Sequence, residues 1–269
     1  MQIKTGHNSS NWWGEYEIPA EMGAHWQLGP LDLIAEHRAH ELRFSSRVGK
    51  DPRNVRIEIN CPMDNVAHTD ESTLVRFALA NPQTRLILEP RLADRAVIVR
   101  PADPFWVTGN QTVNLYLNTP IWVLVRAQGI DAPLLDLPSI GLSDSWFGST
   151  RQAGEVCYAS RTQARLDPDK LHSHPMRATT RLVIHNKLPD PLLVERVKLP
   201  TRYLALFETD QGHLWTQAVH VKRTQRNEGV TLRLEKPKAL QETGVSQLSG
   251  PREKEESTFL KRALDALIG

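Results

Sequence analysis

Apolar and polar residues alternate at a period of two in several short stretches of the chain. Val55, Ile57 and Ile59 share one parity against Arg56 and Glu58, and Val230, Leu232 and Leu234 share one against Thr231, Arg233 and Glu235. Leu182 and Ile184 repeat the pattern. Period two sends successive side chains to opposite faces of a strand, so these stretches predict β-strands with one buried face. Further strands are predicted at 26–28, 31–35, 41–45, 74–79, 84–88, 96–99, 112–117, 121–126, 155–159, 178–185, 192–198, 202–208 and 213–221. Turn pairs such as Gly29-Pro30, Asn81-Pro82 and Asp103-Pro104 punctuate them, and 18 prolines leave little room for long helices. The fold class expected is all-β. Two β-sandwich units account for so many short strands, with one large sandwich as the alternative, and a C-terminal amphipathic helix follows.

The first sandwich is placed at 1–130 and the second at 131–236, with the boundary falling between Gln128 and Ser149. The apolar stretch Leu134–Ser149, broken by Pro138, Gly141 and Gly148, reads as a crossing strand or an ordered loop. Residues 237–250 are polar and turn-rich and read as a linker without a strand pattern. Residues 251–269 have helix-forming composition: Pro251 suits a first turn, and Glu253, Glu255 and Glu256 precede Lys261 and Arg262. Leu260, Leu264 and Leu267 recur at i, i+4 and i+7, with Phe259, Ala263 and Ile268 widening the stripe. A helix this short is marginal alone in water, so the stripe needs a surface: its own body, a protein partner or a second copy of the chain.

Charge and composition then narrow the function classes. With 33 basic and 31 acidic residues among 269, the net charge of +2 draws no general polyanion. Residues 155–238 hold 15 Lys+Arg against 9 Asp+Glu, a diffuse bias without interleaved aromatics, so nucleic acid is not favoured as a partner. No apolar run approaches the ~20 residues of a membrane helix, and the N-terminus lacks the apolar core of a secretory signal. The expected location is cytoplasmic, with Cys61 and Cys157 reduced. Seven tryptophans exceed either other aromatic type. Trp12, Trp13, Trp26, Trp106, Trp122 and Trp215 sit in or beside strand patterns and read as core, which leaves Trp146 as the functional candidate.

Candidate chemistry concentrates at Leu142–Gly148 (LSDSWFG) and Gly154–Tyr158 (GEVCY). Ser143, Asp144, Trp146, Phe147, Glu155 and Tyr158 could form an aromatic platform edged by hydrogen-bonding groups, suited to a sugar-like ligand, or could be core with capped turns. Asp144 and Glu155 resemble a paired-carboxylate site, whose required separation the sequence does not supply. Cys157, with no local base, reads as a small buried hydrophobe, and neither Ser143 nor Ser145 sits in a hydrolase elbow. His172 and His174 form an H-x-H pair, but flanking prolines place it in a loop without a third ligand, so the reading is a solvated loop. No phosphate-cradling glycine motif occurs, and no cofactor is expected.

The two motifs, Leu142-Ser143-Asp144-x-Trp146-Phe147-Gly148 and Gly154-Glu155-x-Cys157-Tyr158, resemble an uncharacterised prokaryotic family, domain-of-unknown-function family 432. WWGEYEIP and WQLGPLDL near the start, and NTPIWVLV and LVIHNKLPDPLLVERVKLP later, share the resemblance. It spans about Trp13 to Val221, leaving the C-terminal linker and helix outside. The resemblance carries over no catalytic residue. It implies neighbourhood with small-conductance mechanosensitive channels, hence a channel-type membrane protein as partner on the cytoplasmic side. The expectation is a non-enzymatic accessory protein acting by protein–protein contact, through Phe259, Leu260, Ala263, Leu264, Leu267 and Ile268 or as a homo-oligomer. The alternative is a carbohydrate-binding or hydrolytic enzyme using Asp144–Tyr158.

Overall fold

The computed structural model describes residues 2–3, 11–49, 55–62, 73–79, 85–101, 103–148, 154–162, 165–167, 174–224, 230–236 and 245–254. These residues are nearly all strand; a single 3-10 turn at Thr201–Tyr203 is the sole helical element among them. They fall into two compact units. One comprises Met1–Arg91, Ile121–Gly141 and His174–Met176; the other comprises Leu92–Pro120, Leu142–Ser173 and Arg177–Gly269. The division is interleaved, where the hydropathy pattern placed a single break near residue 130. The reason lies in one long strand and in the Leu134–Ser149 stretch.

In the first unit, β1 (Gln2–Ile3), β2 (Gly14–Glu17), β3 (Met22–Leu28), β4 (Leu31–Arg38), β5 (Glu41–Val48), β6 (Val55–Pro62), β7 (Thr73–Ala78) and β8 (Arg85–Leu92) follow one another. Six of them form an antiparallel sheet ordered β1-β6-β3-β4-β5-β7, and β2 pairs with β8. Gly29 has φ 59 at the first position of the two-residue β3–β4 turn, with Pro30 second, the backbone that a primed hairpin turn requires. Trp26, Leu28, Leu33, Phe44, Leu86 and Leu88 fill the core, each essentially inaccessible. His37 is buried within β4, its Nδ1 hydrogen-bonded to the Ile18 carbonyl at 2.6 Å.

The second unit opens with β9 (Val97–Pro101) and β10 (Phe105–Val107). β11 (Thr112–Ala127) is one continuous strand through Pro120, not the two strands that a proline break predicts. Its first half pairs with a later strand only as far as Pro120; from Trp122 its edge pairs instead with β12 (Leu135–Pro138). Proline has no N–H to donate to a ladder, so it sits where one pairing gives way to the other. Thus β11 and β12 carry the chain back into the first unit, and it leaves again at Gly141.

The remaining strands belong to the second unit: β13 (Ser143–Gly148), β14 (Gly154–Thr162), β15 (Arg177–Asn186), β16 (Leu192–Val194), β17 (Val197–Leu199), β18 (Leu206–Glu208), β19 (Leu214–Thr216), β20 (Val219–Arg223), β21 (Val230–Leu234) and β22 (Ser246–Ser249). A four-stranded sheet runs β13-β14-β9-β17, with β14 and β9 parallel. β15 pairs antiparallel with the first half of β11 and parallel with β20, which pairs with β21. β10 pairs with β16.

β22 corrects the reading of 237–250 as a linker. Ser246–Ser249 adds to the edge of β18, with a bulge between Leu206 and Phe207, although its polar sequence shows no alternation. Residues 251–254, expected to begin a helix, form a bend instead. The Arg202 carbonyl accepts the N–H groups of Arg252 (2.8 Å) and Glu253 (3.1 Å), and the Arg252 guanidinium Nε donates to the Leu92 carbonyl at 2.6 Å. The rest of the expected helix, with Phe259, Leu260, Ala263, Leu264, Leu267 and Ile268, lies outside the described residues. Among the described residues no helix is long and apolar enough to cross a membrane.

Candidate functional site

The two family motifs fold as a single hairpin, β13–β14. Directly opposed residues are Asp144 with Tyr158, Trp146 with Val156, Phe147 with Glu155 and Ser145 with Cys157. Opposed residues share a face and neighbours along a strand do not. One face therefore carries Asp144, Trp146, Val156 and Tyr158. The other carries Ser143, Ser145, Phe147, Glu155 and Cys157. The six candidate site residues are thus divided between two surfaces.

The second of these faces is core. Phe147 and Cys157 pack in a buried cluster with Ala96 and Ile98. Two cations lie over the Phe147 ring, the Arg196 guanidinium at 5.0 Å and the Lys198 ammonium at 5.7 Å from its centre. Lys198, only 7% exposed, contacts the Glu155 carboxylate through Nζ, and Arg202 donates to its other oxygen at 3.2 Å. Arg202 also reaches Glu253 at 3.7 Å, which ties the C-terminal bend to the hairpin. Burial, and then the Arg202 charge, pushes the Lys198 ammonium down to about 8. Burial pushes the Cys157 thiol up to about 11, which leaves it un-ionised at neutral pH. Its S–H points to the Glu155 carbonyl, 3.7 Å away. These groups hold the sheet together and offer no open surface.

The first face is open. Trp146 is 47% exposed and Val156 beside it 45%. The indole lies across Gly154: a Cβ there would stand 2.7 Å from the indole nitrogen and two ring carbons. Glycine at 154 is what lets the ring lie down on the strand. Replacing Gly154 by alanine should tilt the indole away, read as a shift in tryptophan fluorescence, at a stability cost below about 1 kcal/mol because the neighbour is a half-exposed side chain rather than backbone.

Beside Trp146 stands a charged cluster. Arg95 donates to Asp144 at 3.3 Å, approaches Asp94 at 3.7 Å and lies 5.2 Å over the Tyr158 ring. The Tyr158 hydroxyl donates to Asp94 Oδ1 at 3.0 Å. Burial and then the Asp94 carboxylate raise the Tyr158 phenol above its ordinary value. Thr201 Oγ1 donates to the Arg95 carbonyl at 2.6 Å, fixing the turn that presents Arg95.

Asp144 and Glu155 project from opposite faces of the hairpin, so they cannot flank one scissile bond as paired-carboxylate hydrolysis requires. Asp94 and Arg95 were missed because they precede β9, about fifty residues before the motif, and reach it only through the parallel β9–β14 pairing. Lys198 and Arg202 were missed for the same reason. Trp106, read as core, is 62% exposed on the two-stranded β10–β16 sheet, where no second layer buries it. Among the candidate imidazoles, His174 Nδ1 accepts the Met176 N–H at 3.3 Å, and His172 lies outside the described residues. Among the described residues no group of three or more His, Cys, Asp or Glu could hold a metal ion.

No curated protein and no solved structure matches this chain. A family model does, and it extends past Val221, where the motif resemblance ended, so that the C-terminal segment is part of the family's own pattern. With residues 12–268 matched, the chain belongs to the family described as protein of unknown function (DUF432).

Proposed function

We propose that this is a non-catalytic binding protein that works by contact with a protein partner through the open face of β13–β14. The observation that carries the reading is Trp146, nearly half exposed, laid on Gly154 beside an exposed Val156. Around it stand Tyr158 and Arg95. Tryptophan, tyrosine and arginine are the residues that dominate binding energy at protein interfaces, and here they share one surface with Asp94 and Asp144 at its rim. The proposal keeps the two units as β-sandwiches in the cytoplasm and keeps the C-terminal amphipathic helix, with its stripe from Phe259 to Ile268, as a second contact. It keeps a channel-type membrane protein or a second copy of the chain as the partner.

The double variant Trp146→Ala/Val156→Ser changes only exposed side chains, so its stability should stay within about 0.5 kcal/mol of the parent. Affinity purification from the native host, with mass spectrometry, should recover a partner with the parent chain and lose it with the double variant. Equal recovery by both would sink the hairpin reading. Equal recovery by a chain ending at Lys254 would sink the C-terminal contact.

A second reading, sugar binding, is favoured by one observation: an exposed indole beside the Asp144 carboxylate and the Arg95 guanidinium offers a stacking face with hydrogen-bonding groups at its edge. Quenching of Trp146 fluorescence by a glycan, absent in Trp146→Ala, would favour it over the protein contact.

A further inference from the structure

The outward face of the sheet formed by β11, β15, β20 and β21 gathers the basic residues that look scattered in the sequence. Leu182, Ile184, Val219, Val221, Leu232 and Leu234 point inward and are buried. Register puts the outward residues in two cross-strand pairs: His185 opposite Lys222, and His220 opposite Arg233. Across the diagonal, His185 Nε2 and His220 Nδ1 are 3.3 Å apart. The rings are 7° from parallel with centres 5.7 Å apart. That separation is about the most a 3.3 Å approach allows, so the nitrogens lie between the ring centres and the rings meet edge to edge. The contact is an N–H···N hydrogen bond, one imidazole donating and the other accepting. His185 Nδ1 is held on its far side by Thr112 Oγ1 on β11, at 3.0 Å.

A pair of this kind shares one proton. A proton on the second of these nitrogens makes both donors and puts a positive charge on the pair, among Lys222 and Arg233 across the strands, Lys187 just beyond β15, and Arg181 two positions before Val183. Among the described residues the carboxylate facing them is Glu235, already engaged by Arg181 at 3.2 Å and by the Ala218 N–H at 3.3 Å. Tyr116, opposite Arg181 on β11, turns edge-on to Trp215, and Asn114 and Thr231 complete the face without charge. Among the described residues, four cations and two imidazoles are thus assembled with one committed anion.

We propose that His185, His220, Lys222 and Arg233 form a binding site for a tetrahedral oxyanion of the phosphate and sulfate class, taken up together with a proton. The anion accepts the two N–H groups that, once the second nitrogen is protonated, can no longer be directed at one another, and the two cross-strand cations balance its charge. Both imidazoles fit this role. Burial first, then His220, Lys187 and Lys222, lowers His185. Burial first, then Arg181 and Arg233 against the opposing Glu235, lowers His220. Without an anion the folded protein therefore binds fewer protons here than the unfolded chain. Stability from this pair is present above the ordinary histidine value and falls as pH drops below it. The site is separate from the hairpin face and does not depend on that reading.

Sulfate is the probe, because its charge is constant across the pH range in which histidine titrates. Calorimetric titration of the full chain should show affinity rising about tenfold from about pH 7.5 to about pH 5.5, with about half a proton taken up per anion on average across that range. Sulfate should also restore the thermal stability lost on acidification. His220→Gln should remove the pH dependence, and Lys222→Gln/Arg233→Gln, both at exposed positions, should weaken binding several-fold at either pH. Vesicles of phosphatidylcholine doped with phosphatidic acid separate the sources. Recruitment that sulfate competes away supports the site and makes a lipid headgroup its ligand, whereas sulfate binding without recruitment supports a free oxyanion. Failure of the parent chain to bind sulfate or the vesicles at about pH 5.5, or binding that His220→Gln leaves unchanged in its pH dependence, overturns the proposal.

Discussion

Replacing Gly109 by alanine is expected to destabilise the second unit by about 2–3 kcal/mol, near the top of the range for overpacking. The added Cβ would stand 2.0 Å from the Pro189 carbonyl oxygen, 2.4 Å from its carbon and 2.8 Å from its Cα. All three are backbone atoms, so no side chain can rotate to make room. Nor can the two segments part cheaply. The Asn110 N–H donates to the Leu188 carbonyl at 2.9 Å, and buried Asn186 donates through Nδ2 to the carbonyls of Val107, Thr108 and Asp190. Urea unfolding should show a lower midpoint with an unchanged slope, since the surface exposed on unfolding is the same. A midpoint equal to the parent's would show that the Gly109–Pro189 approach does not constrain the fold. The contrast with Gly154 is instructive: there the neighbour is the half-exposed Trp146 side chain rather than backbone.

What the sequence made legible follows from which physical signals are local. Strand parity is local, and Leu232 and Leu234 are buried while Thr231 and Arg233 are exposed, as alternation requires. Turn chemistry is local too, and Gly29-Pro30 makes its hairpin. Pairing is not local. Nothing between residues 97 and 158 announces that β9 lies parallel to β14, yet that pairing brings Arg95 onto Tyr158 and Lys198 onto Glu155. Likewise His185 and His220 are 35 residues apart, and only parallel pairing of β15 with β20 makes them neighbours. β22 was hidden because an edge strand with polar residues has no alternation to read. The division of the hairpin was half legible: adjacent residues of a strand must face opposite ways, so Trp146 and Phe147 could not share a platform once 143–148 was a strand rather than a loop.

Glu155 and Asp144 look alike in the motif and should behave very differently when neutralised. Asp144 is exposed and its contact with Arg95 is solvated, so Asp144→Asn should cost about 0.5 kcal/mol or less. Glu155 stands between Lys198 and Arg202 on the packed face, and Glu155→Gln takes from a buried ammonium and its neighbouring guanidinium the carboxylate they share. The expected loss is about 3 kcal/mol. It should depend on pH, with a sign set by Lys198. Its ammonium is pushed down to about 8 in the folded protein, whereas the unfolded chain holds the proton up to about 10.4. Between these values the unfolded state binds more protons, so stability from this group rises with pH, and its penalty is complete below about pH 8. Removing Glu155 lowers the folded value further and widens that window. The deficit of Glu155→Gln relative to the parent should therefore be largest below the variant's lowered value, shrink as pH rises to about 8 while the variant's buried amine alone loses its proton, and stay level above that. Adding Lys198→Met to Glu155→Gln should recover part of the loss and flatten the pH dependence, because the buried ammonium that lost its carboxylate is then gone. If Glu155→Gln unfolds at the parent's urea midpoint, the carboxylate is not holding the sheet, and a role for it at the surface returns.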